Sequence, residues 1–398
     1  MQKQQKVKVI GVGPKGECFN VDYIKQADLI VGGRRLLNFF DNIEAEKIVL
    51  DKNIREKLEK LKNLDKKIVI LASGDPLFFG IGKLLIEIFG SQNLEFFPYL
   101  NSVQLLCSKA KVNYDDFITI SIHGRKISNN LIGRIKYNKK IAVLTDKKNN
   151  INLLAKVLLN YLRKDTKVIL GQMIGTENEK ILDLKLIDLL NIEPSALDTL
   201  LIFNEEPYFS FSGMDENNYY HEAGLITKSE IRAITISFLE LKKDSILWDI
   251  GAGSGSVSIE ASSFCYEGKV YAIEKNEKRI DLINKNISKF KCHNIEIVNG
   301  KAPEVLENLE VADRVFIGGC DDIDSLLNYL VQIIKGIIVA NFVTIEKLNQ
   351  FIEFCSSKNL NFKISSIQIG NLKKIGKNHY FTAQNMVYIC KVFKSLKI

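Results

Sequence analysis

One stretch in the second half of the chain reads Leu247-Trp248-Asp249-Ile250-Gly251-Ala252-Gly253-Ser254-Gly255-Ser256. Its apolar start predicts a short strand, its three alternate glycines predict a tight loop, and a helical pattern begins near Val257. A second strand over residues 269–274 then ends at Glu274. Because glycine has no Cβ, backbone N–H groups and a helix N-terminus can approach a polar ligand closely in such a loop. This order predicts one βαβ nucleotide-binding unit, with Glu274 placed to bind a ribose hydroxyl.

The spacing of the glycines distinguishes two classes of cofactor. The dinucleotide fingerprint requires its third glycine at position 256, where this chain has Ser256 and places the glycine at 255 instead. The G-x-G-x-G spacing resembles the S-adenosylmethionine (SAM) loop of Rossmann-type methyltransferases. A glycine loop by itself is also compatible with a purely structural turn. The strand, the helix and the terminal Glu274 together favour cofactor binding.

Length and composition indicate a soluble protein of two domains. The chain has 398 residues, of which 46% are hydrophobic and 26% charged, which is ordinary for globular proteins and long for a single core. Its net charge of +8 is spread along the chain without a block of like charges. Such a diffuse excess suits an anionic small molecule, or simple solubility, better than a nucleic-acid track, which is usually a clustered stripe.

Cysteine usage and hydropathy exclude several classes of protein. The seven cysteines are scattered and never spaced C-x-x-C, so neither a disulfide framework nor a zinc site is predicted, and we expect no metal. No apolar run approaches the roughly 18 residues that cross a bilayer. We therefore expect a cytoplasmic protein without membrane association.

The first half alternates strand and helix patterns, which predicts α/β architecture. Residues 7–16 match G-x-G-x-x-G at positions 11, 13 and 16, but Pro14 stiffens the turn. The next strand, over residues 27–31, ends in Gly32-Gly33-Arg34-Arg35 with no acid to hold a ribose. The match therefore does not indicate an NAD site.

Six motifs in the first half occur in register with a known family. They are G-x-G-P near the start, S-G-D-P-L-F-F-G at 73–80, S-V-Q at 102–104, H-G-R at 123–125, A-V-L-T-D at 142–146 and I-G-T at 174–176. In this order they resemble the tetrapyrrole methylases, in particular the branch that methylates corrin precursors from SAM. The resemblance implies a fold of two α/β subdomains with SAM in the cleft between them. The implied SAM-binding residues are Pro14, Gly74, Asp75, Pro76, Phe79, Asn101, Ser102, Thr145 and Gly175.

Some positions in this half have more than one interpretation. The family usually has Pro-Gly in the third loop, whereas this chain has Pro98-Tyr99, so we expect Tyr99 to narrow the cleft or impose a different turn. Asp75 fits a helix N-cap as well as a cofactor contact. His123 and Arg125 are candidate substrate-binding residues, although His123 is better explained as a loop histidine bonded to backbone than as a general base.

The domain boundary is predicted near the middle of the chain. We expect a tetrapyrrole methylase domain over residues 1–205, a linker over 206–222 and a Rossmann-type domain over 223–398. The pattern Thr227-Lys228-Ser229-Glu230 predicts a capping box with a helix starting at Thr227. Beyond residue 274, strands are predicted at 295–298, 314–317 and 337–342, with a closing pair at 362–370 and 386–393, which completes a Rossmann-like, seven-stranded SAM methyltransferase fold.

The second half resembles the decarboxylating precorrin methyltransferases. The shared motifs are G-L-I-T-K-S-E-I-R at 224–232, the glycine loop, Y-A-I-E-K-N, G-K-A-P-E, F-I-G-G and A-N-F-V-T. The resemblance implies SAM contacts from Thr227, Gly251, Ala252, Gly253, Ser254, Gly255, Glu274 and Ala302. Lys228 and Arg232 are candidates to orient substrate carboxylates, or exposed charges on the first turn of a helix. Cys320-Asp321-Asp322 departs from the small residues usual in relatives, so we expect an altered substrate loop.

The two resemblances together are those of the fused bifunctional precorrin methyltransferases of cobalamin (vitamin B12) biosynthesis. They imply two SAM sites, methylation of ring carbons 5 and 15 and decarboxylation of the ring C acetate of a precorrin or its cobalt form. The expected partner is this polycarboxylate tetrapyrrole and not nucleic acid, and we expect a homo-oligomer. An RNA-directed methyltransferase and a SAM-binding protein without turnover are the alternatives. No Ser-His-Asp or Cys-His signature is present, so no residue is assigned as catalytic.

Overall fold

A computed structural model describes residues 7–195, 197–222 and 224–393. Contacts divide it into two compact units, of which the first contains the residues up to Ile127 together with Lys139–Glu205. The second contains Ser128–Asn138 and the residues from Glu206 onward. The predicted boundary at 205 thus marks one end of the first unit, but a single cut there does not describe the division, because residues 128–138 belong to the second unit.

The first unit alternates short strands and helices over most of its length. The elements are β1 (Val7–Val12), α1 (Val21–Lys25), β2 (Leu29–Gly32), α2 (Arg34–Asn38), β3 (Glu46–Val49), α3 (Ile54–Lys60), β4 (Ile68–Ser73), α4 (Gly82–Phe89), β5 (Leu94–Phe97), α5 (Ser102–Ala110) and β6 (Ile118–Ser121). After α6 (Asn129–Lys136), which belongs to the second unit, follow β7 (Lys140–Leu144), α7 (Ile151–Leu158), β8 (Lys167–Gln172), β9 (Lys180–Lys185) and β10 (Asp198–Phe203).

Two separate five-stranded sheets make up the first unit. One has the order β3-β2-β4-β1-β5 and is parallel throughout. The other has the order β6-β7-β10-β8-β9, in which only β6 and β7 are parallel. The predicted two-subdomain α/β fold is confirmed.

The second unit contains α6 and a further run of strands and helices. They are α8 (Ser229–Leu239), β11 (Ile246–Ile250), α9 (Ser256–Phe264), β12 (Lys269–Glu274), α10 (Glu277–Lys289), β13 (Ile295–Asn299), β14 (Arg314–Ile317), α11 (Ile323–Ile333), β15 (Ile337–Phe342), α12 (Ile345–Ser357), β16 (Asn361–Ile367), β17 (Gly370–Ile375), β18 (Asn378–Ala383) and β19 (Val387–Phe393).

Seven strands of the second unit form one sheet in the order β13-β12-β11-β14-β15-β19-β16. Only β19 runs opposite to the other six strands, and β16 and β19 are the predicted closing pair. Side chains alternate between two apolar clusters on the two faces, with Trp248 and Val315 on one and Leu247 and Phe316 on the other. The Rossmann-like fold is confirmed. The sequence analysis missed β17 and β18, which form a hairpin of their own.

Helix α6 is fixed in the second unit by close packing and hydrogen bonds. A Cβ on Gly133 would lie 1.8 Å from the carbonyl oxygen of Tyr266, so only glycine fits there. The ring of Tyr137 stacks on that of Tyr266 with centroids 4.4 Å apart. Asn130 donates to the backbone carbonyl of Glu267 at 3.0 Å, and the buried ammonium of Lys136 donates to that of Lys291 at 2.6 Å.

The stretch 206–222, predicted to be a linker, is bound to the body of the second unit. Backbone N–H groups of Gly213 and Met214 donate to the carboxylate of Glu260 on α9. The hydroxyl of Ser210 donates to the backbone carbonyl of Ser263 at 2.7 Å.

Within the described part of the chain, no helix has the length and apolar character needed to span a membrane.

Candidate functional site

The glycine loop joins β11 to α9 in the second unit. Gly251, Gly253 and Gly255 all have φ between +60° and +74°, a region that side chains rarely adopt. A Cβ on Gly251 would lie 2.4 Å from the carbonyl oxygen of Gly319, so that position is closed to larger residues. A Cβ on Gly253 would have no neighbour nearer than 4.0 Å. The loop is therefore tight on one side and open on the other.

Glu274 is bound to this loop by backbone hydrogen bonds. It ends β12, it is buried, and its Oε2 accepts a hydrogen bond from the N–H of Gly253 at 2.9 Å. Its Oε1 accepts from the N–H groups of Lys275 and Asn276, both at 3.0 Å. The carboxylate thus holds the loop in place. Oε1 uses both of its lone pairs on these N–H groups, whereas Oε2 keeps one lone pair for a ligand hydroxyl.

A cavity of about 350 Å³ opens beside the loop. Its lining includes three of the predicted residues, Gly251, Glu274 and Ala302. Ala252, Gly253, Ser254 and Gly255 lie in the loop without lining the cavity, and Thr227 and Lys228 do not line it either. The remaining lining residues are Ile250, Ile273, Lys275, Arg279, Gly300, Lys301, Gly318, Gly319, Cys320, Asp321 and Lys347.

The prediction that Arg232 binds substrate is wrong, and so is the alternative of an exposed charge. Its side chain is 0% exposed, and its Nε donates to Glu260 at 2.7 Å. Its two terminal nitrogens donate to the backbone carbonyls of Thr227 and Met214. With its donors directed at these groups, Arg232 joins helix α8 to α9 and to residue 214, and it has no access to a substrate.

The capping box predicted at Thr227 is also absent. Helix α8 begins at Ser229, and its N-cap is Lys228, whose side chain makes no capping hydrogen bond. The N–H of Ser229 donates instead to the carboxylate of Glu216 at 2.6 Å. A carboxylate from the preceding segment therefore replaces the local cap that the pattern suggested.

Asp249, immediately before the glycine loop, is fully buried. The hydroxyl of Ser258 donates to its Oδ2 at 2.5 Å, whereas its Oδ1 has no hydrogen-bond partner among the described residues. Burial raises the pKa of Asp249 to about 7, because removal from water disfavours the charged form.

A cavity of about 600 Å³ lies in the first unit, where loops from its two sheets meet. The sheet of β1 and β4 contributes Pro14 and Gly74, and the sheet of β7 and β8 contributes Thr145 and Met173. The N-terminus of α5 opens onto the cavity through Asn101 and Ser102. Asn101 and Gln104 form a capping box at this terminus, and the helix dipole there favours an anionic group such as a carboxylate.

Some of the SAM-binding residues predicted in the first half line this cavity, and the others lie outside the lining. Pro14, Gly74, Phe79, Asn101, Ser102 and Thr145 line the cavity. Gly175 does not, but it packs on Pro14, because a Cβ there would lie 2.5 Å from the proline ring. Asp75 and Pro76 form a turn outside the lining, in which Asp75 accepts from the N–H of Leu77 at 2.8 Å. The helix that Asp75 was expected to cap begins only at Gly82.

Three loop residues of the first unit, Tyr99, His123 and Arg125, differ in their access to the cavity. Tyr99 does not line the cavity, so the expected narrowing of the cleft does not occur. Its ring lies against the backbone of Gly13 and against the ring of Phe19. The centroids of the Tyr99 and Phe19 rings are 5.1 Å apart. His123 is exposed and lines the cavity, whereas Arg125 is exposed outside the lining. Between them, the N–H of Gly124 donates to Asp146 at 2.5 Å, which fixes the turn and helps to hold the pKa of Asp146 below its ordinary range.

Several lining residues escaped the sequence analysis. Arg35 lines the first cavity and donates to the hydroxyl of Ser73 at 3.1 Å. It belongs to the Gly32-Gly33-Arg34-Arg35 stretch, in which no motif marks the arginines as site residues. Asp198, also in the lining, is buried and accepts from Gln172 and Ser195. In the second unit the missed residues are the cations Lys275, Arg279, Lys301 and Lys347.

Both cavities fit SAM by their backbone geometry. In the second unit, Gly253 and Gly319 have open space where a Cβ would stand, and Glu274 lies at the end of the neighbouring strand. In the first unit, the N-terminus of α5 and the backbone turn at Gly74, with φ of +63°, face the cavity. Within the ranges that the structure describes, no group of three or more His, Cys, Asp or Glu side chains is arranged to hold a metal ion.

The fold and the glycine loop together define the second unit as a Rossmann-type, SAM-dependent methyltransferase. The tetrapyrrole (corrin/porphyrin) methylase family matches residues 6–190, and the precorrin methyltransferase domain matches residues 218–394. Three of its relatives illustrate these matches. A precorrin-6Y C(5,15)-methyltransferase [decarboxylating] from Sinorhizobium is 29% identical over 353 residues, which is 84% of each chain.

The other two relatives each match one half. A protein of Pyrobaculum calidifontis named "probable cobalt-precorrin-6B C(15)-methyltransferase (decarboxylating)" is 36% identical over 47% of this chain and 98% of its own. A cobalt-precorrin-7 C(5)-methyltransferase of Salmonella typhimurium is 33% identical over 44% of this chain and 87% of its own. The chain belongs to the decarboxylating precorrin methyltransferases, in the form that is fused to a tetrapyrrole methylase.

Proposed function

We propose that this chain methylates carbons 5 and 15 of precorrin-6B/6Y, or of its cobalt form, and decarboxylates the ring C acetate in cobalamin biosynthesis. Residues 1–205 would carry out the carbon-5 methylation, and residues 223–398 the carbon-15 methylation and the decarboxylation. The observation that carries the proposal is that each of the two family matches supplies all or most of the lining of a cavity of its own. The family assignment also favours this function over the RNA-directed alternative.

Methyl transfer from SAM to a ring carbon depends on how the protein positions the two reactants and needs no nucleophilic side chain. SAM supplies a methyl group on a sulfonium, and its transfer to carbon is an in-line displacement that depends on holding donor and acceptor at attack distance. The Glu274-anchored loop holds the cofactor in the second unit, and the α5 N-terminus does so in the first. A partly reduced tetrapyrrole has an electron-rich acceptor carbon and can take up the electrons that decarboxylation leaves. This agrees with the absence of an assigned catalytic residue.

Anaerobic incubation of the full chain with a candidate precorrin and SAM labelled in its methyl group tests the proposal by product mass. We expect two labelled methyl groups and the loss of one carbon dioxide. Product of unchanged mass from every precorrin tested would contradict the proposed activity, and one methyl group without decarboxylation would leave only the first unit active.

Two cofactor sites are part of the proposal. Calorimetric titration of the full chain with S-adenosylhomocysteine should give a stoichiometry of two. A stoichiometry of one, unchanged when the glycine loop is altered, would exclude a site in the second unit. A cytoplasmic location and the absence of nucleic-acid binding remain predictions, and RNA gel-shift assays test the second of these.

We also propose a homo-oligomer, built on the hairpin of β17 and β18. Every residue of β17 is exposed, and Leu372 and Phe381 are 58% and 77% exposed. An isolated two-stranded hairpin is marginally stable in water, and its paired, exposed apolar side chains indicate a contact with another protein surface. A second copy supplies an identical apolar surface. Light scattering should show an oligomer that Phe381→Asp dissociates, and a monomeric wild-type chain would refute the proposal.

A further inference from the structure

Cationic side chains are concentrated in the lining of the second cavity. Lys275, Arg279, Lys301 and Lys347 contribute positive charge there, against the two carboxylates of Glu274 and Asp321. These cations come from α10, from the loops after β12 and β13, and from the first turn of α12. Four separate segments thus bring positive charge to one small cavity.

The cofactor does not account for this charge. SAM carries a sulfonium, an ammonium and one carboxylate, so its net charge at neutral pH is positive and its single carboxylate can pair with no more than one or two of the four cations. Of the two carboxylates, Glu274 is buried and already accepts hydrogen bonds from three backbone N–H groups. The surplus of cations therefore indicates an anionic ligand other than the cofactor.

Asp321 shows which kind of anion these cations accept. Its Oδ2 lies 2.8 Å from Nζ of Lys275 and 3.6 Å from Nζ of Lys301, so one carboxylate oxygen bridges the two ammonium groups. All three side chains are at least half exposed, so the bridge is weak and open to exchange with a ligand. Lys347 donates to the backbone carbonyl of Cys320, a partner that carries no charge.

Arg279 has a different partner. Its Nε lies 3.4 Å from the carboxylate of Glu222, a residue outside the cavity lining. The three lysines and Asp321 therefore form a set of their own, which we call the lysine cluster (Lys275, Lys301, Lys347 and Asp321).

We propose that the lysine cluster binds a carboxylate side arm of the tetrapyrrole, and that Asp321 occupies this position until the substrate displaces it. This inference rests on the proposed function, since it assigns the substrate contacts of the same site. Lysines act as point charges that accept carboxylates without a fixed geometry. Asp321 is thus an internal competitor for the position of the substrate carboxylate.

Acetylation footprinting of the full chain tests the inference residue by residue. The protein is saturated with S-adenosylhomocysteine and treated with an acetylating reagent, with and without uroporphyrin III as a polycarboxylate probe. Peptide mass spectrometry then measures each lysine. We expect uroporphyrin III to slow acetylation of Lys275, Lys301 and Lys347, but not of Lys278, an exposed lysine of α10 outside the cavity. Unchanged rates at the three lysines, or equal protection by a short RNA oligonucleotide, would overturn the proposal.

Variants of the cluster give a second measurement. Asp321→Asn removes the competitor, so Lys275 and Lys301 should be acetylated faster without the probe and protected at lower probe concentration. Lys275→Gln together with Lys301→Gln should raise the probe concentration that protects Lys347 by about tenfold or more. Lys278→Gln is the matched control and should change nothing. An Asp321→Asn variant that needs more probe would also refute the displacement.

The cofactor site provides the check on the underlying function. The backbone N–H of Lys275, not its side chain, bonds to Glu274, so the lysine variants keep that contact. Calorimetry with S-adenosylhomocysteine therefore measures whether each variant still binds the cofactor, so that probe protection is compared only between cofactor-loaded proteins. If the wild-type chain binds S-adenosylhomocysteine but uroporphyrin III does not protect the lysines, the inference is wrong and the proposed function stands. If the wild-type chain does not bind S-adenosylhomocysteine, the proposed function itself is contradicted.

Discussion

The Oε2 of Glu274 accepts the backbone N–H of Gly253 at 2.9 Å, which joins the end of one strand to the middle of the glycine loop on its neighbour. The position of Glu274 at the end of the second strand predicts that it binds the ribose hydroxyls of SAM. The structure adds a second task, because the same carboxylate fixes the loop that has to receive the cofactor. Substitution should therefore affect both loop order and ligand contact.

Glu274→Ala should weaken cofactor binding at the second site by roughly 1.5–3 kcal/mol, about ten- to a hundredfold, because ribose hydroxyls and three backbone N–H groups lose their acceptor. Glu274→Gln keeps one acceptor oxygen and should cost less. Calorimetry with S-adenosylhomocysteine measures both, and the first site serves as the internal control. An unchanged affinity in Glu274→Ala would place the ribose elsewhere.

Gly253→Val should abolish cofactor binding in the second unit while the first continues to bind. The side chain would enter the open space beside the loop and would also be held at a φ of +60°, which is unfavourable by about 1–2 kcal/mol. Gly376→Val is the matched control for backbone strain, since Gly376 has a φ of +62° and open surroundings in the hairpin turn. Carbon-15 methylation that survived in the Gly253 variant would show that the site is misplaced.

Asp249→Asn should make the second unit more stable, and increasingly so as the pH rises from 5 to 8. The folded state keeps its proton up to a pKa of about 7, whereas the unfolded chain releases it near 3.8. Folding stability of the wild type therefore falls with rising pH across this window, and asparagine, which does not ionise, avoids the loss. The gap should widen by about 2–3 kcal/mol between the two pH values.

Urea unfolding followed by tryptophan fluorescence measures this locally, because Trp248 is the only tryptophan and is buried in the second unit. Asp281→Asn, at an exposed aspartate of α10, should leave the pH dependence unchanged. A constant gap between wild type and Asp249→Asn would mean that Asp249 is ionised throughout.

Gly133→Ala should destabilise the second unit by about 1–3 kcal/mol, since the new methyl group would press on the carbonyl of Tyr266. Thermal unfolding followed by Trp248 fluorescence should show a lowered midpoint. Gly33→Ala is the control, because a Cβ there has no neighbour within 4 Å. Equal midpoints for the two variants would show that α6 is not held as tightly as its packing indicates.

The fold was predictable because its signals are local. β14 and β15 have the bounds that their apolar runs predicted, Arg314–Ile317 and Ile337–Phe342. The hairpin of β17 and β18 was missed because Lys373, Lys374 and Lys377 interrupt its apolar pattern, as exposed strands allow.

The site residues were predictable where the backbone geometry allows only one residue type. They were less predictable where the location of a side chain depends on its tertiary contacts. Gly251 and Gly74 are set by φ and close packing, and the motifs revealed them. Arg232 looks like a surface cation in a helical pattern, and its burial depends on Glu260, 28 positions further along the chain. Lys275, Lys301 and Lys347 are ordinary lysines in sequence, and only the folded chain brings them to one cavity.

The place of α6 has a consequence for how the protein is made. A ribosome releases residues 129–136 well before Tyr266 and Lys291, against which the helix packs. Domains fold as units during synthesis, the N-terminal one first, yet here the earlier part emerges with a helix whose partners do not yet exist. Docking of this helix therefore cannot occur before the chain has been synthesised through Lys291. Division of the gene into two at the domain boundary would turn that step into an association between separate chains.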